Sequence, residues 1–172
     1  MTHFDLFNLA PSVDLDVAAL EAQHRKLAME SHPDRAGTDP HARRLAAEKS
    51  AALNDAIKVL KDPVRRAFYV LELKGVKLDS DQAAAKVKMP MEFLEEIMER
   101  REALEAVKAT RKLEAAQAMG KTIADARTKT LAEAQEALRR DDVPTATTAL
   151  GRVRYYTRFL EEVDAFEEEL LS

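Results

Sequence analysis

Apolar residues recur at helical spacing in several separate stretches of the chain. Leu20, His24, Leu27 and Ser31 follow one another at i, i+4, i+7 and i+11, one face of a helix whose other side carries Arg25 and Lys26. Asp16 is placed to cap its start. Pro33 stops it, because a residue that precedes proline is pushed out of the α region. A polar stretch, His32 to Pro40, separates it from a second helix predicted over residues 41–61. The apolar stripe of that helix is Leu45, Leu53, Ile57 and Leu60, with Ala46, Ala52 and Ala56 small enough for close packing. Asp62-Pro63 then opens a short helix through Ala67, Phe68, Val70 and Leu71, closed at Gly75. Ahead of all these, Phe4 to Leu9 is an apolar cluster fit for one or two helical turns.

The pattern changes after Gly75. Residues 76–90 read as a connector ending in Lys86-Val87-Lys88-Met89-Pro90, and beyond it three further helices are expected. The first spans about 91–108 and the last about 144–171. The middle one runs from about 111 to 140, with Gly120 either inside it at a cost or marking a break. Short connections between such helices predict an antiparallel three-helix bundle. At roughly 100° per residue, Phe93, Ile97, Leu104 and Val107 cluster on one face of the first bundle helix, the face of a core. Met91, Leu94 and Met98 fall about a quarter circle away, beside Glu102 and Glu105. From the wheel alone, that second strip either widens the core or meets a partner.

Composition agrees with an all-α fold. The 172 residues include only four glycines, and the six prolines, at 11, 33, 40, 63, 90 and 144, sit between periodic segments. With 46% hydrophobic residues the chain can bury cores, and no apolar run is long enough to span a bilayer. There are no cysteines, so disulfides and thiolate metal sites are excluded. The four histidines, at 3, 24, 32 and 41, show no metal-ligand spacing. Through Lys74 there are 11 basic and 11 acidic side chains, and from Gly75 onward 16 and 20, so the net charge of −4 belongs to the C-terminal part. Nucleic-acid binding asks for a basic excess, which is missing. The first residues lack the basic flank and apolar stretch of a secretory signal. The expectation is a cytoplasmic protein without metal, cofactor or catalytic residues, and not an enzyme.

His32-Pro33-Asp34 is a weak signal as a tripeptide and a strong one in its setting. Arg25-Lys26-Leu27-Ala28-Met29 precedes it, Arg35 follows, and the next helix carries Leu53-Asn54-Asp55-Ala56-Ile57-Lys58-Val59-Leu60, with Arg66 and Tyr69 beyond. This arrangement resembles the J-domain over nearly all of residues 1–75. The resemblance implies an antiparallel helix hairpin with short flanking helices. It also implies that His32, Pro33 and Asp34, with Arg25, Lys26 and Arg35, dock on a DnaK-type chaperone and stimulate its ATPase. Physical chemistry suits that role. Pro33 fixes its own φ and restricts His32, leaving little entropy to lose on binding. The cations would steer an acidic surface. The rival readings of the tripeptide are an ordinary polar turn, or a catalytic or metal pair, for which no nucleophile or third ligand is near.

Most of the chain resembles the HscB family of J-type co-chaperones of iron–sulfur cluster assembly, in its bacterial form without a cysteine-rich zinc extension. The residues that carry this are Phe4-Asp5-Leu6-Phe7 and Ala67-Phe68-Tyr69-Val70-Leu71-Glu72-Leu73-Lys74-Gly75. Phe93-Leu94, Met98 through Leu104, and Val153-Arg154-Tyr155-Tyr156 carry it further. The resemblance implies three parts: a J-domain over residues 1–75, a connector over 76–90, and a bundle over 91–172 that binds the scaffold protein IscU while the J-domain recruits the chaperone HscA. The family's scaffold-contact positions map onto Leu94, Met98, Glu99, Glu102 and Tyr155, and one acidic position of the family falls on Ala106 here. The implied function is stimulation of HscA ATPase and delivery of IscU to it, helping iron–sulfur proteins mature. Two alternatives stay open: a J-protein for a different client, and a helical enzyme or nucleic-acid binder that carries the tripeptide by accident.

Overall fold

The computed structural model describes residues 1–32, 37–78 and 80–171, and among these every regular element is helical. A 3-10 turn, Asp5–Phe7, comes first. It is followed by α1 (Val17–Glu30), α2 (Pro40–Leu60), α3 (Pro63–Leu73), α4 (Asp81–Ala85), α5 (Met91–Thr110), α6 (Leu113–Arg139) and α7 (Val143–Leu171). The chain separates into two compact units, Met1–Val70 and Leu71–Ser172.

Helix starts follow local chemistry. The Asp16 carboxylate accepts from the Ala19 N–H at 3.0 Å, and the Asp62 carboxylate from the Arg65 N–H at 2.8 Å. The second helix begins one residue before the predicted start. Asp39 accepts from the His41 and Ala42 N–H groups at 3.1 and 3.3 Å, and Pro40 takes the first helical position, where a missing N–H costs nothing.

In the first unit, α1 and α2 form the hairpin, with His24 Nε2 and Asn54 Oδ1 3.0 Å apart across it. Leu20, Leu53, Ala56, Ile57 and Leu60 bury their side chains together with Phe4, Phe7, Val13, Ala67 and Val70. The N-terminal turn is tied in twice. Gln23 Nε2 donates to the Phe7 carbonyl at 2.7 Å, and the His3 N–H to the Tyr69 hydroxyl at 2.9 Å. Arg66 is buried. Its Nε donates to the Val13 carbonyl at 2.9 Å and its guanidinium NH1 to the Leu60 carbonyl at 2.6 Å, so one side chain ties the segment before α1 to the end of α2. Leu45, expected in the stripe of α2, is instead 52% exposed, and Ala52 is exposed as well. With His24 opposite Asn54, the last residue of α1 comes level with about residue 48. The turn of α2 that carries Leu45 therefore has no part of α1 to pack on.

In the second unit, α5, α6 and α7 form an up-down-up bundle. Glu133 on α6 meets Arg152 on α7, and Gly120 lies by Val163 and Glu167, so these two helices run antiparallel. Glu96, Arg101 and Arg111, in order along α5 and at its end, meet Tyr156, Glu162 and Glu169 in the same order along α7, so α5 and α7 run parallel. The core is Phe93, Ile97, Leu104, Ala116, Ile123, Tyr156, Phe159, Val163 and Phe166. Helix α6 continues through Gly120, where a Cβ would lie 3.4 Å from Val163 Cγ1. That is ordinary van der Waals contact, and the glycine makes no break.

The segment expected as a plain connector has structure of its own. It contains the short helix α4, at whose start the Ser80 hydroxyl accepts from the Ala83 N–H at 3.2 Å. Leu78 is buried, and its carbonyl accepts from Arg154 NH1 at 3.0 Å.

Candidate functional site

Two surfaces carry the residues singled out in the sequence. The first is the end of the α1–α2 hairpin. Asp16 caps one end of the fourteen-residue α1 and Ser31 closes the other, its N–H donating to the Leu27 carbonyl, while Arg25 and Lys26 are both exposed along the helix. His32 is exposed just past the end of α1, two residues after Glu30. The Pro33, Asp34 and Arg35 expectations lie outside the described residues. On the far side, Gly37 takes a left-handed φ of 71°, and its carbonyl accepts from Arg43 Nε at 2.7 Å, pinning the chain as it enters α2. A shallow hollow lined by Ala22, His24, Arg25, Lys26, Ala28 and Met29 runs along α1, and Met29 is 63% exposed. The surface is thus cationic with an apolar floor.

The second surface is α5. Phe93, Ile97 and Leu104 are buried and Val107 packs against them, which is the core face expected from the wheel. Leu94 is 39% exposed, Met98 65% and Met91 66%, while Glu99 and Glu102 are exposed. The strip therefore faces outward and does not widen the core. Arg100 turns inward to Glu96, with Nε donating at 2.8 Å, so it does not neutralise the row Glu95, Glu99, Glu102. An apolar strip flanked by carboxylates results, suited to an apolar partner segment that brings cations with it.

Tyr155, on α7, packs against the core face of α5 and not against the outward strip. It is half-buried, and its ring meets Phe93 edge-on with centroids 5.7 Å apart. Phe93 is held on its other sides by Tyr156, at 5.6 Å and nearly perpendicular, and by the Arg152 guanidinium at 5.3 Å. The structure thus brings Tyr155 to Phe93, next in the chain to Leu94. Sequence reading missed this box. The signal was there in the spacing of Arg152, Tyr155 and Tyr156, which puts all three on neighbouring faces of one helix. Burial, followed by the Glu96 carboxylate, raises the Tyr156 phenol above its ordinary pKa; the hydroxyl donates to Glu96 Oε1 at 2.8 Å.

Among the described residues, no three histidine or carboxylate side chains converge as metal ligands, and no helix is long and apolar enough to cross a membrane.

Comparison with known proteins places both units. Residues 2–69 match the DnaJ domain, and residues 89–164 match the HSCB C-terminal oligomerisation domain. A co-chaperone protein HscB homolog from Vibrio cholerae is 36% identical over 174 residues and covers 100% of both chains. Another from Shewanella baltica is 30% identical over 177 residues, again with 100% of both chains. Among solved structures, the chaperone HscB from Vibrio cholerae superposes with a TM-score of 0.78 at 31% identity, covering 99% of each chain. Human co-chaperone protein HscB superposes with a TM-score of 0.84 at 24% identity, over 96% of this chain and 81% of its own, a likeness of fold.

Proposed function

This chain belongs to the HscB family of J-domain co-chaperones, and from that premise we propose that it couples a DnaK-type ATPase chaperone, HscA, to the iron–sulfur scaffold IscU. The recruiting module is residues 1–75. His32, Pro33 and Asp34 dock on the chaperone with Arg25, Lys26 and Arg35 and stimulate ATP hydrolysis there. The bundle, residues 91–172, joined through 76–90, binds the scaffold with Leu94, Met98, Glu99, Glu102 and Tyr155. The chaperone performs the chemistry and this chain is not itself an enzyme; it acts in the bacterial cytoplasm. By holding one protein on each module it raises the local concentration of scaffold at the chaperone.

The observation that carries this reading is the outward strip of α5. Two large apolar side chains, Leu94 and Met98, stand in solvent beside Glu99 and Glu102, on a helix whose core face is already filled. Exposed apolar side chains in a row beside charges mark a protein-binding surface. The loss of an acid at Ala106 moves the acidic contribution toward Glu99 and Glu102. The test is single-turnover ATPase of purified HscA with this protein and IscU, separately and together. Synergy between the two is expected; additive stimulation would overturn the coupling role.

A further inference from the structure

The segment before α5 is strapped onto α7 by one face of that helix. Gly151, Arg154 and Tyr155 are spaced i, i+3 and i+4, so they share a face. Arg154 holds the Leu78 carbonyl, at 3.0 Å. Gly151 is buried, and the place where a Cβ would stand is taken by Met89: a Cβ would come within 2.3 Å of Met89 Cε, 3.8 Å of its Sδ and 3.6 Å of Val87 Cγ1. The third member, Tyr155, packs edge-on against Phe93. Met89 is followed directly by Pro90, the residue that caps α5, and the carbonyl of Pro90 accepts from the Phe93 and Leu94 N–H groups at 3.2 Å.

Taking the scaffold-binding reading above as its basis, we infer that Gly151 is a positioning residue for the docking surface: the notch it leaves in α7 seats Met89, which sets the first turn of α5 so that Phe93 packs on Tyr155 and Leu94, the next residue, is turned outward. A glycine inside a helix of 29 residues is otherwise a poor choice. Alanine would favour the helix. The gain from glycine lies in what it admits. Seating Met89 also spares the partner the ordering of residues 87–91, a cost that would otherwise be charged to binding.

The test compares the full chain with Gly151→Ala, Met89→Ala and the double variant, measuring calorimetric affinity for purified apo-IscU, the melting temperature, and hydrogen exchange of the amides of residues 91–95. The added methyl meets the end of a flexible side chain, so the bundle accommodates it by expelling Met89. Gly151→Ala is expected to keep or raise the melting temperature, quicken exchange in that first turn, and weaken IscU binding by roughly threefold to tenfold. Met89→Ala is expected to weaken it similarly, and the double variant no further than either, because both changes empty the same seat. Unchanged affinity in Gly151→Ala, or fully additive losses, would overturn the inference. Leu94→Ala/Met98→Ala serves as the reference arm. If it binds IscU like the wild type, the docking reading has failed and the inference with it. If it binds weakly while Gly151→Ala binds normally, only the positioning role has failed.

Discussion

Tyr156 on α7 donates its phenolic proton to Glu96 on α5 at 2.8 Å, and the same carboxylate oxygen accepts from Arg100 Nε at 2.8 Å. Arg100 in turn lies 5.8 Å from the centroid of the Tyr156 ring. One carboxylate thus ties α5 to α7.

Tyr156→Phe keeps the ring and removes that bond. A hydrogen bond to a charged group is worth about 1.5–3 kcal/mol, and Arg100 remains to satisfy Glu96, so the loss is expected near the lower end. The difference should depend on pH. The folded-state pKa of Tyr156 is raised above its ordinary value of 10.0, first by burial and then by Glu96. Its contribution is therefore full below about pH 10 and is lost as pH rises through the folded pKa. Urea melts at neutral and alkaline pH should show the wild-type advantage over Tyr156→Phe shrinking above about pH 10.

Arg66→Met is expected to destabilise the first unit by about 2–4 kcal/mol, because it leaves the Val13 and Leu60 carbonyls without their donor. Arg66→Lys should recover little, since a single ammonium cannot reproduce two bonds from separate guanidinium nitrogens. Equilibrium denaturation followed by circular dichroism measures both.

Neither the Tyr156–Glu96 bond nor the burial of Arg66 was legible in the sequence, whereas some helix starts were. Asp16 and Asp62-Pro63 mark helix starts because capping is a local interaction, complete within four residues. The core face of α5 was likewise readable, since periodicity alone separates Phe93, Ile97 and Leu104 from Leu94 and Met98. Leu45 was misplaced because its periodicity is faultless; its exposure depends on where the other helix ends, which no local pattern contains. Helix α4 was missed because five residues are too few for a period to register. The Met89 seat and the Phe93 box depend on contacts across roughly sixty residues of sequence, beyond any window of local reading.

His32→Gln is expected to abolish stimulation of the HscA ATPase while leaving helicity intact. His32 is exposed at the end of α1 and takes no part in the core, so its replacement should not unfold the hairpin. Circular dichroism and single-turnover rates on the same preparation check this; normal stimulation would remove His32 from the docking surface.

Docking of the first unit on HscA should weaken with salt. Arg25 and Lys26 are exposed, and exposed charges are screened over about 8 Å at physiological ionic strength. Association rates measured from low to high salt should fall. A flat profile would exclude electrostatic steering.

The coupling claim is tested most directly by one variant in one assay: Leu94→Ala/Met98→Ala in HscA ATPase, with and without IscU. Both side chains lie off the core face, so truncation should cost less stability than the roughly 2–5 kcal/mol of a buried leucine or methionine. Stimulation by the variant alone should match wild type, while the synergy with IscU disappears because the apolar anchors of that interface are gone. Retained synergy in a folded variant would contradict the account.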